Sequence, residues 1–197
     1  MGNINSIIRK KGAVTGIYLG LVLLLLNLAL YYYTTRLTES FFMIAIGSNI
    51  IILILEIGAT VWLCNTLRNK VGGYWTFKQA VTGIFMMFVV AYAIQIAGYD
   101  NLFAKVIDKN VSTNIHNAWV NANLKALKKG EDPKIVKHRG EVIDSNYNNQ
   151  QKSGTINLSY IIQNILITII LGFVISLIFA ALFKRDPPSQ LISEPGR

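Results

Sequence analysis

Glu56 is the single Asp, Glu, Lys or Arg within four long apolar stretches, 12–35, 40–67, 79–99 and 153–183, of this 197-residue chain. A carboxyl group inside hydrocarbon can take up and release a proton or a cation, the chemistry of coupled carriers and channels. It costs roughly 2.5 to 3.5 kcal/mol near a helix centre on insertion scales, so Glu56 is expected to face other helices. Counting inward from the basic edge at about 1.5 Å per residue places the hydroxyls of Thr15, Thr82 and Ser176 within roughly one turn of it. A second polar layer falls about 22 Å from that edge by the same rise. It holds Asn27, Ser48, Asn49, Gln95 and Thr168, with Asn164 one turn further out. Amides at such depth join helices at about 0.6 kcal/mol per pair. Asn49 and Glu56, two turns apart on one face, would alternatively link the two layers as a proton or ion path.

Other reactive side chains are sparse. Cys64 is the lone cysteine, which excludes an internal disulfide and reads as a small apolar filler. His116 and His138 have no second ligand or nucleophile at useful spacing, so no metal site, cofactor or catalytic set is expected.

The elements that hold these residues follow from composition. With 52% hydrophobic and 15% charged residues, the balance is that of a membrane protein. Each apolar stretch exceeds the roughly 20 residues that a helix needs to cross the hydrocarbon. The predicted fold is an all-α membrane protein, a bundle of four transmembrane helices over 12–34, 41–65, 77–99 and 156–183. Arg9, Lys10 and Lys11, then Arg68, Lys70 and Lys78, then Lys184 and Arg185 mark one side of that bundle, against Arg36 in the short 35–40 connection. The positive-inside rule therefore places both termini and the 66–76 loop in the cytoplasm and the 100–155 loop outside. The net charge of +9 is explained by topology and headgroups, not by nucleic acid.

Within the 100–155 loop, Val111, Ile115, Trp119 and Ala122 recur at helical spacing and predict an amphipathic helix over 112–128. The polar stretch after Pro133 predicts only a weak helix or mobile return, and 184–197, with Pro187, Pro188 and Pro195, a disordered tail. Gly12, Gly16 and Gly20 on the first span and Gly172, Ser176 and Ala180 on the fourth form small-xxx-small rows. They predict contact between spans one and four.

Between the second and third spans the chain reads Gly72-Gly73-Tyr74-Trp75-Thr76-Phe77-Lys78-Gln79-Ala80. The glycines permit a tight reversal, the aromatics suit the headgroup belt, and Thr76 with Gln79 spells a capping box. This series, with Gly83 after it and a last span ending in Phe183 and Lys184, resembles a family of small four-span bacterial membrane proteins, domain of unknown function 4199. The resemblance implies a bacterial cytoplasmic-membrane protein and brings no activity, cofactor or catalytic residue. Two functions stay open. One is a non-enzymatic envelope scaffold or accessory protein with a protein partner at loop 100–155; the other is a small proton- or cation-coupled transporter or channel using Glu56 as a homo-oligomer.

Overall fold

The computed structural model describes residues 2–153 and 158–185. Helix α1 (Gly2–Tyr32) runs on as a π-helical turn, Tyr33–Leu37, and a second such turn, Met43–Gly47, leads into α2 (Ser48–Val71). Helix α3 (Phe77–Gln95) likewise widens into a π-helical stretch, Ile96–Ile107. Two further helices follow outside the apolar spans, α4 (Val111–Lys128) and α5 (Pro133–Ser153), before α6 (Leu158–Phe183). Four segments are long and apolar enough to cross a membrane: Ile4–Leu37, Met43–Val71, Phe77–Ile107 and Ile165–Phe183. The chain is a multi-pass membrane protein. The first helix starts ahead of Arg9–Lys11 and the third continues past Tyr99, because a helix need not stop where the hydrocarbon does: its backbone bonds are satisfied internally in water as well as in lipid.

Helix α3 is the hub. Helix α1 packs along it, α6 packs on another of its faces, and α2 sits mainly against α1. The core joins Leu19 of α1, Leu63, Cys64 and Leu67 of α2, Ala80, Ile84, Met87 and Ala91 of α3, and Ala180 of α6, with Trp75 beneath them. The glycine row of α1 makes the tightest approach in the bundle. A Cβ at Gly12 would stand 2.5 Å from the Gly83 carbonyl oxygen, and one at Gly16 2.5 Å from that of Met87. Backbones this close gain dispersion and weak Cα–H···O contacts, which drive helix association where lipid is as apolar as the side chains.

The partner of this row is therefore α3 and not the fourth span. The expected contact between spans one and four gives way because α3 carries its own small side of Gly83 and Ala91, four-residue steps around Met87, complementary to the α1 row. On α6, Ser176 and Ala180 are fully buried, but a Cβ at Gly172 would meet nothing within 4 Å. Interlocking rings, Phe85 on Phe173 and Phe88 on Phe179, hold α6 to α3 instead.

At the opposite end from Arg9–Lys11, Arg68, Lys70 and Arg185, α4 and α5 form a helical hairpin. The segment expected to be a weak or mobile return is a continuous helix. Asp132 starts it by accepting from the Lys134 backbone N–H at 2.8 Å, Pro133 occupies the first turn where its missing donor is harmless, and buried Val136 seats against α4, where Asn123 donates to its carbonyl at 2.8 Å. The expected disordered tail beyond Arg185 lies outside the described residues.

Candidate functional site

The polar groups proposed for the bundle interior turn inward on their own helices. Thr15 donates to the Lys11 carbonyl, Thr82 to Lys78 and Ser176 to Phe173, at 2.9, 2.9 and 2.6 Å. Thr60 donates to the backbone carbonyl of Glu56 itself, at 2.8 Å. The Glu56 side chain is half-buried, and among the described residues no hydrogen bond or ion pair is made to its carboxyl group. It also lines none of the cavities described below. The hydroxyls at its depth are therefore not its partners; a hydroxyl in a helix finds its preceding turn's carbonyl without reaching across lipid.

In the second polar layer Asn27, Ser48 and Asn49 resolve in the same way, and Gln95 does not. Asn27 donates to the Leu23 carbonyl at 2.9 Å. Ser48 and Asn49 reach five residues back, to Met43 and Ile44 at 2.8 and 3.0 Å, and Asn101 does so to Ile96 at 2.8 Å. Those acceptors belong to the π-helical turns, whose wider winding leaves carbonyls accessible to short polar side chains. Only Gln95, among these bonds, crosses between helices: its amide donates to the Gly20 carbonyl of α1 at 3.2 Å. Asn164 lies on α6, with its side chain outside the described ones. Among the described residues no chain of side-chain bonds links Asn49 to Glu56.

The Gly-Gly-aromatic turn is a clamp. Gly72 and Gly73 take φ of 116° and 82°, the left-handed region that spares a side chain the clash with its own backbone. Thr76 caps α3 by accepting from the Gln79 N–H at 3.4 Å, and the Gln79 side chain returns the bond to the Thr76 N–H at 2.9 Å. Trp75, 1% exposed, donates its indole N–H to the Phe183 carbonyl at 2.8 Å. Its backbone N–H donates to Arg185 at 2.9 Å and its carbonyl accepts from the Arg185 N–H at 3.3 Å. The motif thus satisfies the open carbonyls at the end of α6 and starts α3 in one stroke.

A family model described as "Protein of unknown function (DUF4199)" matches residues 15–185, from within the glycine row to the residue that Trp75 holds. The chain belongs to this family. No curated protein and no solved structure matches it. In this DUF4199 chain the family-like motif is spent on joining α2, α3 and α6, so the chemistry must be sought elsewhere.

It is found at the hairpin end. The Tyr31 hydroxyl bonds the Asp108 carboxylate, and Asn114 of α4 donates to both, at 3.0 Å to Tyr31 and 3.1 Å to Asp108. Beside this three-way lock, Tyr31, Phe103 and Val111 are buried together. Lys125 pairs with Glu39 on the short connection between α1 and α2. The Tyr31 hydroxyl is the main reason that the Asp108 carboxyl lies below its ordinary pKa, and the Lys125 ammonium lowers Glu39 in the same way.

Between α4 and α5 a cleft of about 440 Å³ opens against Phe41, ahead of the second span. Its walls include Ile115, Trp119, Val142 and Ile143, with His116, His138, Arg139 and Tyr147 among them. The His116 ring stacks on Tyr147 at 4.2 Å, and its Nε2 lies 3.5 Å from Asp144. The Arg139 guanidinium covers the Phe41 ring at 4.1 Å and pairs with Glu131. Two buried nitrogens here, His116 Nδ1 and Arg139 Nε, have no hydrogen-bond partner among the described residues. Among the described residues no three His, Cys, Asp or Glu side chains gather as a metal ion would require. Phe41, Arg139 and Tyr147 escape sequence reasoning, since they are brought together by the α4–α5 hairpin; the Ile115–Trp119 stripe and His116 are its only local trace.

Proposed function

We propose that this protein is a non-enzymatic accessory protein of the bacterial cytoplasmic membrane, in which the four spans are an anchor and the outward α4–α5 hairpin is the working surface. One observation carries this reading: the hairpin is bolted to the bundle through Tyr31, Asp108 and Asn114 and encloses a formed cleft, while Thr15, Asn27, Ser48, Asn49, Thr82 and Ser176 bond the backbone of their own helical segments. The orientation follows from the basic residues of the short flanks and loop, Arg9, Lys10, Lys11, Arg68, Lys70, Lys78, Lys184 and Arg185, which belong inside by the positive-inside rule, whereas the lysines of the long 100–155 loop count little in it. A partner protein of the envelope would meet the hairpin over residues 111–153. Cross-linking of the tagged full-length chain in membranes tests this. A reproducible partner whose cross-links map to α4 or α5 supports it; cross-links confined to the spans, or a phenotype abolished by Glu56→Gln, would overturn it.

A second reading is favoured by a single fact, that the Glu56 carboxyl has no partner among the described residues. A proton- or cation-coupled carrier would keep such a group free to titrate, and a second copy would be needed to enclose a path. Proton or cation flux in proteoliposomes decides it, with a wild-type flux that Glu56→Gln removes as the supporting outcome.

A further inference from the structure

We propose that the α4–α5 cleft binds a single-chain amphiphile with a carboxylate head, its chain along Phe41, Ile115, Trp119 and Ile143 and its head at Arg139 and His116. The inference rests on the hairpin being the working surface and adds the chemistry of what that surface takes.

The volume of about 440 Å³ lies within the roughly 300–1,000 Å³ of small-molecule sites and is apolar over most of its wall, with few convergent polar groups. One acyl chain fits such a space; a two-chain phospholipid does not. The polar groups in the wall favour an anion. Arg139 brings a guanidinium whose Nη2 pairs with Glu131 and whose Nε has no partner, the imidazoles of His116 and His138 add polar nitrogens, and among the described residues no carboxylate lines the cleft. Asp144 and Glu131 touch His116 and Arg139 from outside it.

The two orphan nitrogens supply the second argument. A buried donor or acceptor without a partner costs about 1–3 kcal/mol, and native proteins leave few of them. Here two fall on one cleft, at Arg139 Nε and His116 Nδ1. A carboxylate oxygen accepting from Arg139 Nε would satisfy one, and a water donating both to His116 Nδ1 and to the other oxygen would satisfy the second. A single negative charge is the most that one guanidinium already paired with Glu131 can hold; a phosphate dianion would call for a second fixed cation. Position agrees with this chemistry, because Phe41 stands at the mouth of a membrane span that begins at Met43. A chain partitioned at the membrane surface reaches the cleft without crossing bulk water.

The test uses the full chain in membrane vesicles and a diazirine-bearing dodecanoate, beside its uncharged methyl ester. The acid should label peptides from 112–119 and 138–147 at least tenfold more than the ester does. Excess dodecanoate should suppress this labelling, and dodecyl phosphate should not. Arg139→Gln should cut labelling by about tenfold and Arg139→Lys by far less, while Lys137→Gln, on the same helix and outside the cleft, leaves it unchanged. Equal labelling by acid and ester, or labelling confined to the spans, would overturn the proposal. Equal suppression by dodecyl phosphate would overturn the carboxylate assignment. Absent hairpin labelling with partner cross-links retained sinks the ligand and leaves the hairpin's role standing; hairpin labelling without any partner supports the ligand alone.

Discussion

At the scale of single residues, the contrast between Glu56 and Asp108 separates a group that has no partner from one that has three. Asp108 is only partly buried, yet it accepts from Tyr31, from Asn114 and from the Asn110 N–H at 3.0 Å, and its carboxyl is held below the ordinary range chiefly by the Tyr31 hydroxyl. Glu39 is lowered by Lys125. A carboxylate with a depressed folded pKa stabilises most above the value it has when unfolded, and loses that contribution as pH falls through the folded value. The docking of α4 should therefore be full above about pH 4.5 and weaken below it, where free Asp and Glu begin to protonate. Trp119 emission, measured against a Trp119→Phe background, should report loosening in acid, and Asp108→Asn combined with Glu39→Gln should flatten that response. Glu56→Gln, by contrast, should leave thermal stability in detergent unchanged or raised, because it removes an ionisable group that holds nothing in place.

At the scale of elements, two devices set the bundle: the glycine row of α1 and the Trp75 clamp. Gly16→Ala puts a methyl 2.5 Å from the Met87 carbonyl oxygen and 2.9 Å from Val90. Neither backbone can yield locally, so α1 and α3 must part, at about 1–3 kcal/mol by the usual penalty for overpacking. Gly172→Ala meets open space and should change stability by less than about 0.5 kcal/mol. Thermal unfolding in detergent followed by size exclusion compares the pair, and equal losses would show that the α1–α3 approach is not what holds the helices. At the clamp, Thr76→Ala should cost about 1 kcal/mol, the ordinary value of a lost helix cap.

At the scale of the molecule, the basic end and the hairpin end divide the work. One end closes the bundle through Trp75 and Arg185; the hairpin end carries a cleft and a packed aromatic cluster of Tyr31, Tyr99 and Phe103. Ser145→Cys in a Cys64→Ser background should be labelled by a membrane-impermeant maleimide on intact cells, and Lys10→Cys should be labelled only after permeabilisation. The reverse pattern would invert the orientation and place the hairpin in the cytoplasm.

Much of this was legible in the chain alone. Spans declare themselves by length and apolarity, since hydrocarbon thickness is a constant outside the protein, and the Gly-Gly turn and the Thr76–Gln79 cap are local geometry that neighbouring residues dictate. Membership of a four-span family was readable from the same turn. Which face meets which was not. The glycine row announced close packing but not its partner, because a small surface on α1 fits any small surface at its depth, and only the assembled bundle chose α3. The polar layers misled for a related reason: depth along a helix places a side chain at a level, but whether it reaches a neighbour or folds back depends on winding, which the π-helical turns altered. The cleft is the clearest case, for Phe41, His116 and Arg139 are separated by long stretches of sequence, and it took the closing of α4 on α5 to make them one surface.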